Sequence, residues 1–485
     1  MHANSISAEQ PCRRPKMSAA FTSPLPISRR HIVVAPALAL LGFSGCGGGD
    51  GEDGAGTPSG TTSRPARPAR PCGTQSGTGC ASSGSRVDLF EPAFSAKSTQ
   101  IDNPLNPISN LKSGVSLGVV DGAPFRSETT LLPDTRTVQV RGVAVQLVKS
   151  QYMAFSDGRL KEIAIDYFAQ DDDGNVWYFG EDVADYDEDG RVASNDGTWF
   201  FDKDNAQSAM ITAAKPKVGN VWRVEDVAPI AWEEVTVKAI DVTADGPSGP
   251  LTGGLLIAEL HMDGSREDKV FMPGYGEFRT GTQATNDLEA LALMAPIDAL
   301  RAPLPVALEA MSSASAAVFA AAGANDFTAA ATSLASLTGA WNTYQTGQVP
   351  PLLKAEMARV LALLETVVDG RVVADTRDEA IALARVIHDL RLRYEPITQV
   401  DQVRLDLWLA QVAVDAADGA FGDIRGDAVT AAAVFDRFRH TLATSLAGDI
   451  AAKLSQLSAA AESNDAVNAS LIASQIRAAL SGGWK

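Results

Sequence analysis

The stretch "DYDEDGRVASND" at 185–196 places aspartates at its first, third, fifth and twelfth positions, Asp185, Asp187, Asp189 and Asp196, with Gly190 at the sixth. Calcium takes hard oxygen ligands that converge on one point, and alternating carboxylates before a sharp glycine turn can supply them. The same residue types also build tight turns, where Asp bonds its own backbone and Gly takes a left-handed conformation. The stretch is therefore read either as a calcium-binding hairpin or as an acidic turn. A shorter copy, "QDDDGN" at 170–175, offers Asp171, Asp173 and Asn175 in similar spacing but no distal carboxylate.

Other reactive groups are sparse. His261 is the only histidine in the strand-rich part of the chain, and no Gly-x-Ser-x-Gly elbow, His-Glu-x-x-His helix or phosphate-cradling loop accompanies it. No catalytic residue is assigned. In the helical part, His388 adjoins Asp389, and Asp436 lies one turn from His440 on the same face. Bundle interiors can hold metals through such pairs. The neighbouring arginines of "HDLRLRYE" and "DRFRH" oppose a cation, however, and pair more naturally with Asp401, Asp406 and Asp415 in a buried or interfacial ionic network. Trp177, Tyr178, Phe179, Trp199 and Phe200 are expected to pack as core, with about half of them on each face of their strands.

The 485 residues exceed one ordinary core and imply two domains with accessory segments. A formal net charge of -18 repels a phosphate backbone, so no nucleic-acid partner is expected. The cysteines, Cys12, Cys46, Cys72 and Cys80, all precede the patterned regions. Cys72 and Cys80 are candidates for a disulfide in an oxidising compartment.

"MSAAFTSPLPISRRHIVVAPALALLGFSGC" joins Arg29 and Arg30 to an apolar run at 32–43 and small residues before Cys46. It resembles a bacterial lipoprotein signal peptide. The resemblance implies removal of residues up to Gly45, acylation of Cys46 and anchoring in the cell envelope, with Gly47 favouring the outer membrane. The run is far shorter than the ~20 apolar residues that cross a bilayer. "SRRHIVV" also resembles a twin-arginine export signal, and the route of export stays open. Residues 1–45 are thus an upstream extension and signal, and 46–85, rich in Gly, Ser, Thr and Pro, read as a flexible tether.

From 86 to 296 short alternating segments are separated by "DDDGN", "DEDGR", "SNDG" and "KPKVGN" turns. In "TVQVRGVAVQLV" the apolar parity shifts at Gly142, as at a β-bulge. The expectation is an antiparallel, strongly curved sheet, a partial barrel or a sandwich. "DYFAQDDDGNVWYFGEDV", "GTWFFD" and "KPKVGNVWR" resemble a secreted bacterial β-domain family of unknown activity, which implies a fold class and a location. The 185–196 spacing resembles an EF-hand loop with Asp196 in place of the closing glutamate, but strand patterns flank it where an EF-hand has helices. From 297 to 485 the period becomes helical, as in Leu353, Met357, Val360, Leu361 and Leu364, and predicts an antiparallel bundle.

The sequence thus predicts an α+β chain of two domains, a curved antiparallel sheet or partial barrel followed by an all-α bundle. The functional expectation is a non-catalytic binding or scaffolding role at the envelope, with calcium as an optional ligand of the hairpin. The alternatives are a periplasmic cation-dependent enzyme and a metal-acquisition protein using the bundle.

Overall fold

The computed structural model describes residues 64–203, 205–281 and 287–480. The signal segment, Cys46 and the first part of the tether lie outside the described residues. The chain forms β1 (Ser113–Val120), β2 (Ala123–Val140), β3 (Val143–Ser156), β4 (Arg159–Gln170), β5 (Val176–Tyr186), β6 (Val192–Ser194), β7 (Trp199–Phe200) and β8 (Ala209–Thr212). It continues through β9 (Val221–Val227), β10 (Ala231–Gly246), β11 (Gly249–His261), β12 (Arg266–Met272), β13 (Gly276–Gly281) and β14 (Leu288–Ala295). The helices follow: α1 (Val306–Gly323), α2 (Phe327–Tyr344), α3 (Pro351–Asp369), α4 (Val373–Arg391), α5 (Ile397–Asp418), α6 (Phe421–Phe438), α7 (Thr444–Glu462) and α8 (Ala466–Ala479).

The strands make one antiparallel sheet in the order β6-β5-β4-β3-β2-β1-β14-β13-β12-β11-β10-β9. This overturns the expectation of a strongly curved partial barrel. The hydrogen-bonded path is open, and closure would need β9 to pair with the opposite edge. That edge of β5 is already taken by the short strands β6, β7 and β8. The free edge of β9 is covered as well, because Val87 donates to Val221 O at 2.9 Å and Asp88 accepts from the Arg223 amide at 3.0 Å. Both edges are thereby protected from pairing with another chain.

The parity shift at Gly142 proves to be a chain reversal. Arg141 and Gly142 both have positive φ, 51° and 83°, and form the two-residue turn between β2 and β3. Asp121-Gly122 and Asp157-Gly158 do the same for the neighbouring hairpins. A bulge and a primed turn give the same local pattern, and only pairing distinguishes them.

Composition assigns 46–85 to a flexible tether, yet from Arg64 onward the chain is laid against the sheet. Arg64, Arg67 and Arg70 recur every third residue among prolines, the period of a polyproline helix, so one side carries all three. Arg64 bonds Asp171 at 2.9 Å, Arg67 bonds Ser208 O at 2.8 Å and Arg70 bonds Asp226 O at 2.8 Å. Arg64 also lies over Phe90, and Arg67 over Trp177. Cys72 and Cys80 form a disulfide directly after this strap.

The helices are four hairpins whose reversals each use a left-handed residue: Asn325, Arg371, Gly419 and Asn464. Asp326 and Asp465 then cap the following helices by accepting from the Ala329 and Asn468 amides. α1 is long and apolar enough to cross a membrane by length and composition, but its Leu308, Met311 and Val318 are fully buried in the bundle core. Two apolar clusters weld bundle to sheet, one joining Val115 and Leu293 to α1–α5, the other joining Met153, Phe155 and Leu160 to Leu405, Trp408 and Ile424.

An ionic seam runs through that interface. Arg126 on β2 donates to both oxygens of Asp389 on α4, at 2.6 and 2.9 Å, and to Glu128 at 2.7 Å. Arg437 on α6 donates to Glu128 and to Gln151 on β3, each at 2.7 Å. Arg404 on α5 donates to Asp389 and Asp401, each at 3.0 Å. Three guanidiniums therefore meet three buried carboxylates, so each buried charge has an ionic partner, while Arg404 Nε and Arg437 Nη2 are left without a hydrogen bond.

Candidate functional site

The parity of β11 places Leu255, Ile257, Glu259 and His261 on one face, and that of β10 places Glu233 with Val235 and Val237. Leu255, Ile257, Val235 and Val237 belong to the main core of the sheet, so the polar residues of the same parity are drawn inward with them. Register then sets Glu233 opposite His261, Glu259 opposite Glu267 on β12, and Glu225 on β9 opposite Glu233. Carboxylates at apolar parity were legible in the sequence. That they meet was not, because it depends on pairing across four strands.

His261 Nδ1 lies 3.2 Å from Glu233 Oε1, and its Nε2 lies 3.7 Å from Glu267 Oε1. Lys269 Nζ contacts Glu259 and sits 3.4 Å from Glu267 Oε1. Trp199 Nε1 donates to Glu225 Oε1 at 3.1 Å. Glu225 and Glu259 are each 1% exposed and Glu233 is 6% exposed. Burial works against the imidazolium of His261, but the hydrogen bond and charge of Glu233, with Glu259 and Glu267, outweigh it and raise His261 to about 9. Burial and the charge of Glu233 push Glu259 up to about 8 against the pull of Lys269 and His261. Among the described residues, Glu233, Glu259 and His261 are the group whose ligand atoms converge closely enough to hold a metal ion.

The acidic hairpin is arranged differently. Asp187 Oδ1 accepts from the Asp189 and Arg191 amides, both at 2.9 Å, and Gly190 N donates to Asp187 O at 3.0 Å. Asp185 sits in the β5 ladder opposite Ser194, and the Asp196 amide donates to Ser194 Oγ. The turn rests on α6, where Arg425 Nη1 donates to Asp189 O at 2.9 Å. Its carboxylates do not form a metal-holding group by the convergence that Glu233, Glu259 and His261 satisfy. In "QDDDGN" the Asp171 carboxylate accepts from the Asp173 and Asn175 amides, Trp177 Nε1 and Arg64, and so organises its turn.

The aromatic residues pack as core on both faces: Trp177 and Phe179 in the main cluster, Tyr178 and Trp199 in a second one. In the bundle, Asp389 is held by Arg126 and Arg404, so it does not serve His388. His388 is buried with neither ring nitrogen hydrogen-bonded, and burial with Arg391 and Arg404 pushes it down to about 3, leaving it neutral. His440 is exposed, and Asp436 pairs with Arg439 at 2.9 Å. Asp401 and Asp406 do take arginines, Arg404 and Arg477.

Asp415 faces Asp427 of α6 instead of an arginine, and its Oδ2 accepts from Gln411 Nε2 at 3.4 Å. Burial, with Asp378 and Asp423 nearby, raises Asp415 to about 6. A raised carboxyl stabilises the fold below its unfolded value of 3.8, and that contribution is lost as pH rises through 6. His388 works in the opposite sense over the same range, so the contribution of Asp415 is read as the melting temperature of the wild type minus that of Asp415→Asn, a difference that should fall between pH 4 and 7. An unchanged pH profile in the variant would show that the pair carries no proton linkage.

No family model matches the sequence, and no curated protein matches it.

Proposed function

We propose that the chain is a lipid-anchored protein of the bacterial cell envelope, held at the outer membrane by Cys46, with a non-catalytic binding or scaffolding role. The stretch before Cys46 supports the anchor, and the observation that supports a scaffolding role is the ionic seam together with the two apolar clusters. They join sheet and bundle into one body across β1–β4, where an enzyme that closes on its substrate needs a cleft. The titratable cluster on β9–β12 is buried, so it is ill placed to reach an organic substrate. The likeness of the 166–183 stretch to secreted β-domains agrees with the address, as does a disulfide at Cys72 and Cys80.

The test is fractionation of cells producing the wild type and Cys46→Ala. The wild type should sediment with outer membranes and carry acyl mass on an N-terminal Cys46, and the variant should move to the soluble fraction. Equal membrane retention of both would overturn the anchor.

A further inference from the structure

We infer that Glu233, Glu259 and His261 form a site for a divalent first-row transition-metal ion on the buried face of β10 and β11. Each residue offers one ligand atom, and these atoms lie within 4.8 Å of one another. Ligands bound at about 2.0–2.2 Å around one ion are separated by up to about 4.4 Å, so small side-chain adjustments complete the set. The site is built into the sheet: Glu233 and His261 are register partners, and Glu259 precedes His261 by two on the same face.

Donor chemistry selects the class of ion. Calcium and magnesium favour sites made wholly of oxygen, whereas one imidazole with two carboxylates suits zinc, manganese or cobalt. Glu225, Glu233, Glu259 and Glu267 occupy neighbouring positions on four strands, and Lys269 contacts Glu259 and Glu267 beside the ligand set. A metal ion at Glu233, Glu259 and His261 takes the place of the proton between Glu233 and His261, because ligands bind a metal in their deprotonated form. With Glu259 1% exposed, the ion is enclosed and stiffens the sheet, which goes beyond the scaffolding reading without depending on it.

The experiment uses the full chain in detergent, stripped with chelator and then titrated with zinc, manganese, cobalt or calcium. Equilibrium dialysis and thermal melts are the readouts, compared among wild type, His261→Gln, Glu233→Gln and a His440→Gln control for surface binding. We expect zinc to bind and raise the melting temperature, calcium to do neither, and affinity to fall at least about tenfold in the first two variants but not in the control. In the wild type, ring-carbon NMR signals of His261 should shift on adding zinc, a readout independent of whether the variants fold. Zinc affinity unchanged in His261→Gln, or a wild type that binds none of the transition metals, would overturn the site.

Discussion

Replacing Glu128 by glutamine lowers the unfolding free energy by about 3–5 kcal/mol, the usual cost of removing one partner from a buried ionic group. Glu128 is 4% exposed and receives Arg126 and Arg437 at 2.7 Å, with Arg404 at 3.8 Å. The substitution preserves shape but leaves three guanidiniums facing two carboxylates. Chemical denaturation followed by circular dichroism measures the loss, and a change under about 1 kcal/mol would mean that the remaining charges are satisfied without Glu128. The pH dependence has a definite sign. Burial pushes the Glu128 carboxyl upward, but Arg404, Arg126 and Arg437 outweigh it and hold it well below its usual value. Its contribution is therefore fully present above about pH 4.5 and is lost only as acid protonates the folded state. In Glu128→Gln that acid-sensitive part should be missing.

Gly190→Ala should detach the acidic hairpin from α6. Gly190 has φ +67°, and a Cβ there would lie 2.3 Å from Gly422 O and 2.8 Å from Gly426 N. From the other side, a Cβ on Gly422 would lie 2.6 Å from Glu188 O. The two backbones meet where neither can carry a side chain. Left-handed strain and overpacking together cost about 2–4 kcal/mol if the contact is kept, so the turn is expected to lift away. Hydrogen exchange should then quicken at 187–191 and over the first turns of α6, while the seam around Glu128 stays protected. Unchanged exchange at both places would show that the docking tolerates a methyl group. The result bears on "DYDEDGRVASND" directly, because its glycine is required by contact with a helix more than 230 residues away, as the Arg425 to Asp189 bond also is.

Much of the architecture was legible. The alternation in "EEVTVKAIDV" and the helical spacing of Leu353, Met357, Val360 and Leu364 each report which side of an element is buried, and both correspond to the observed β10 and α3. The strap was missed because Gly, Ser and Pro content outweighed the threefold recurrence of Arg64, Arg67 and Arg70, a short signal that acquires meaning only with acceptors opposite it. The open sheet was missed because short strands and tight turns look alike whether or not the last strand closes on the first. Glu233, Glu259 and His261 were each visible, but their convergence rests on the register of β10 against β11, which shifts at three irregularities between Val237 and Ala244. Such shifts leave no clear mark in a single strand.

By itself, then, the sequence determined that strands precede helices, where most of them reverse, and which residues turn inward, because propensity, turn chemistry and apolar periodicity act over a few neighbouring residues. Tertiary structure alone decided which charges meet. Arg126 finds Asp389 across 263 residues and Arg437 finds Glu128 across 309. Pairing of that kind is set by which faces the apolar clusters press together, and any of several arginines has the chemistry to answer any of several carboxylates until packing chooses among them.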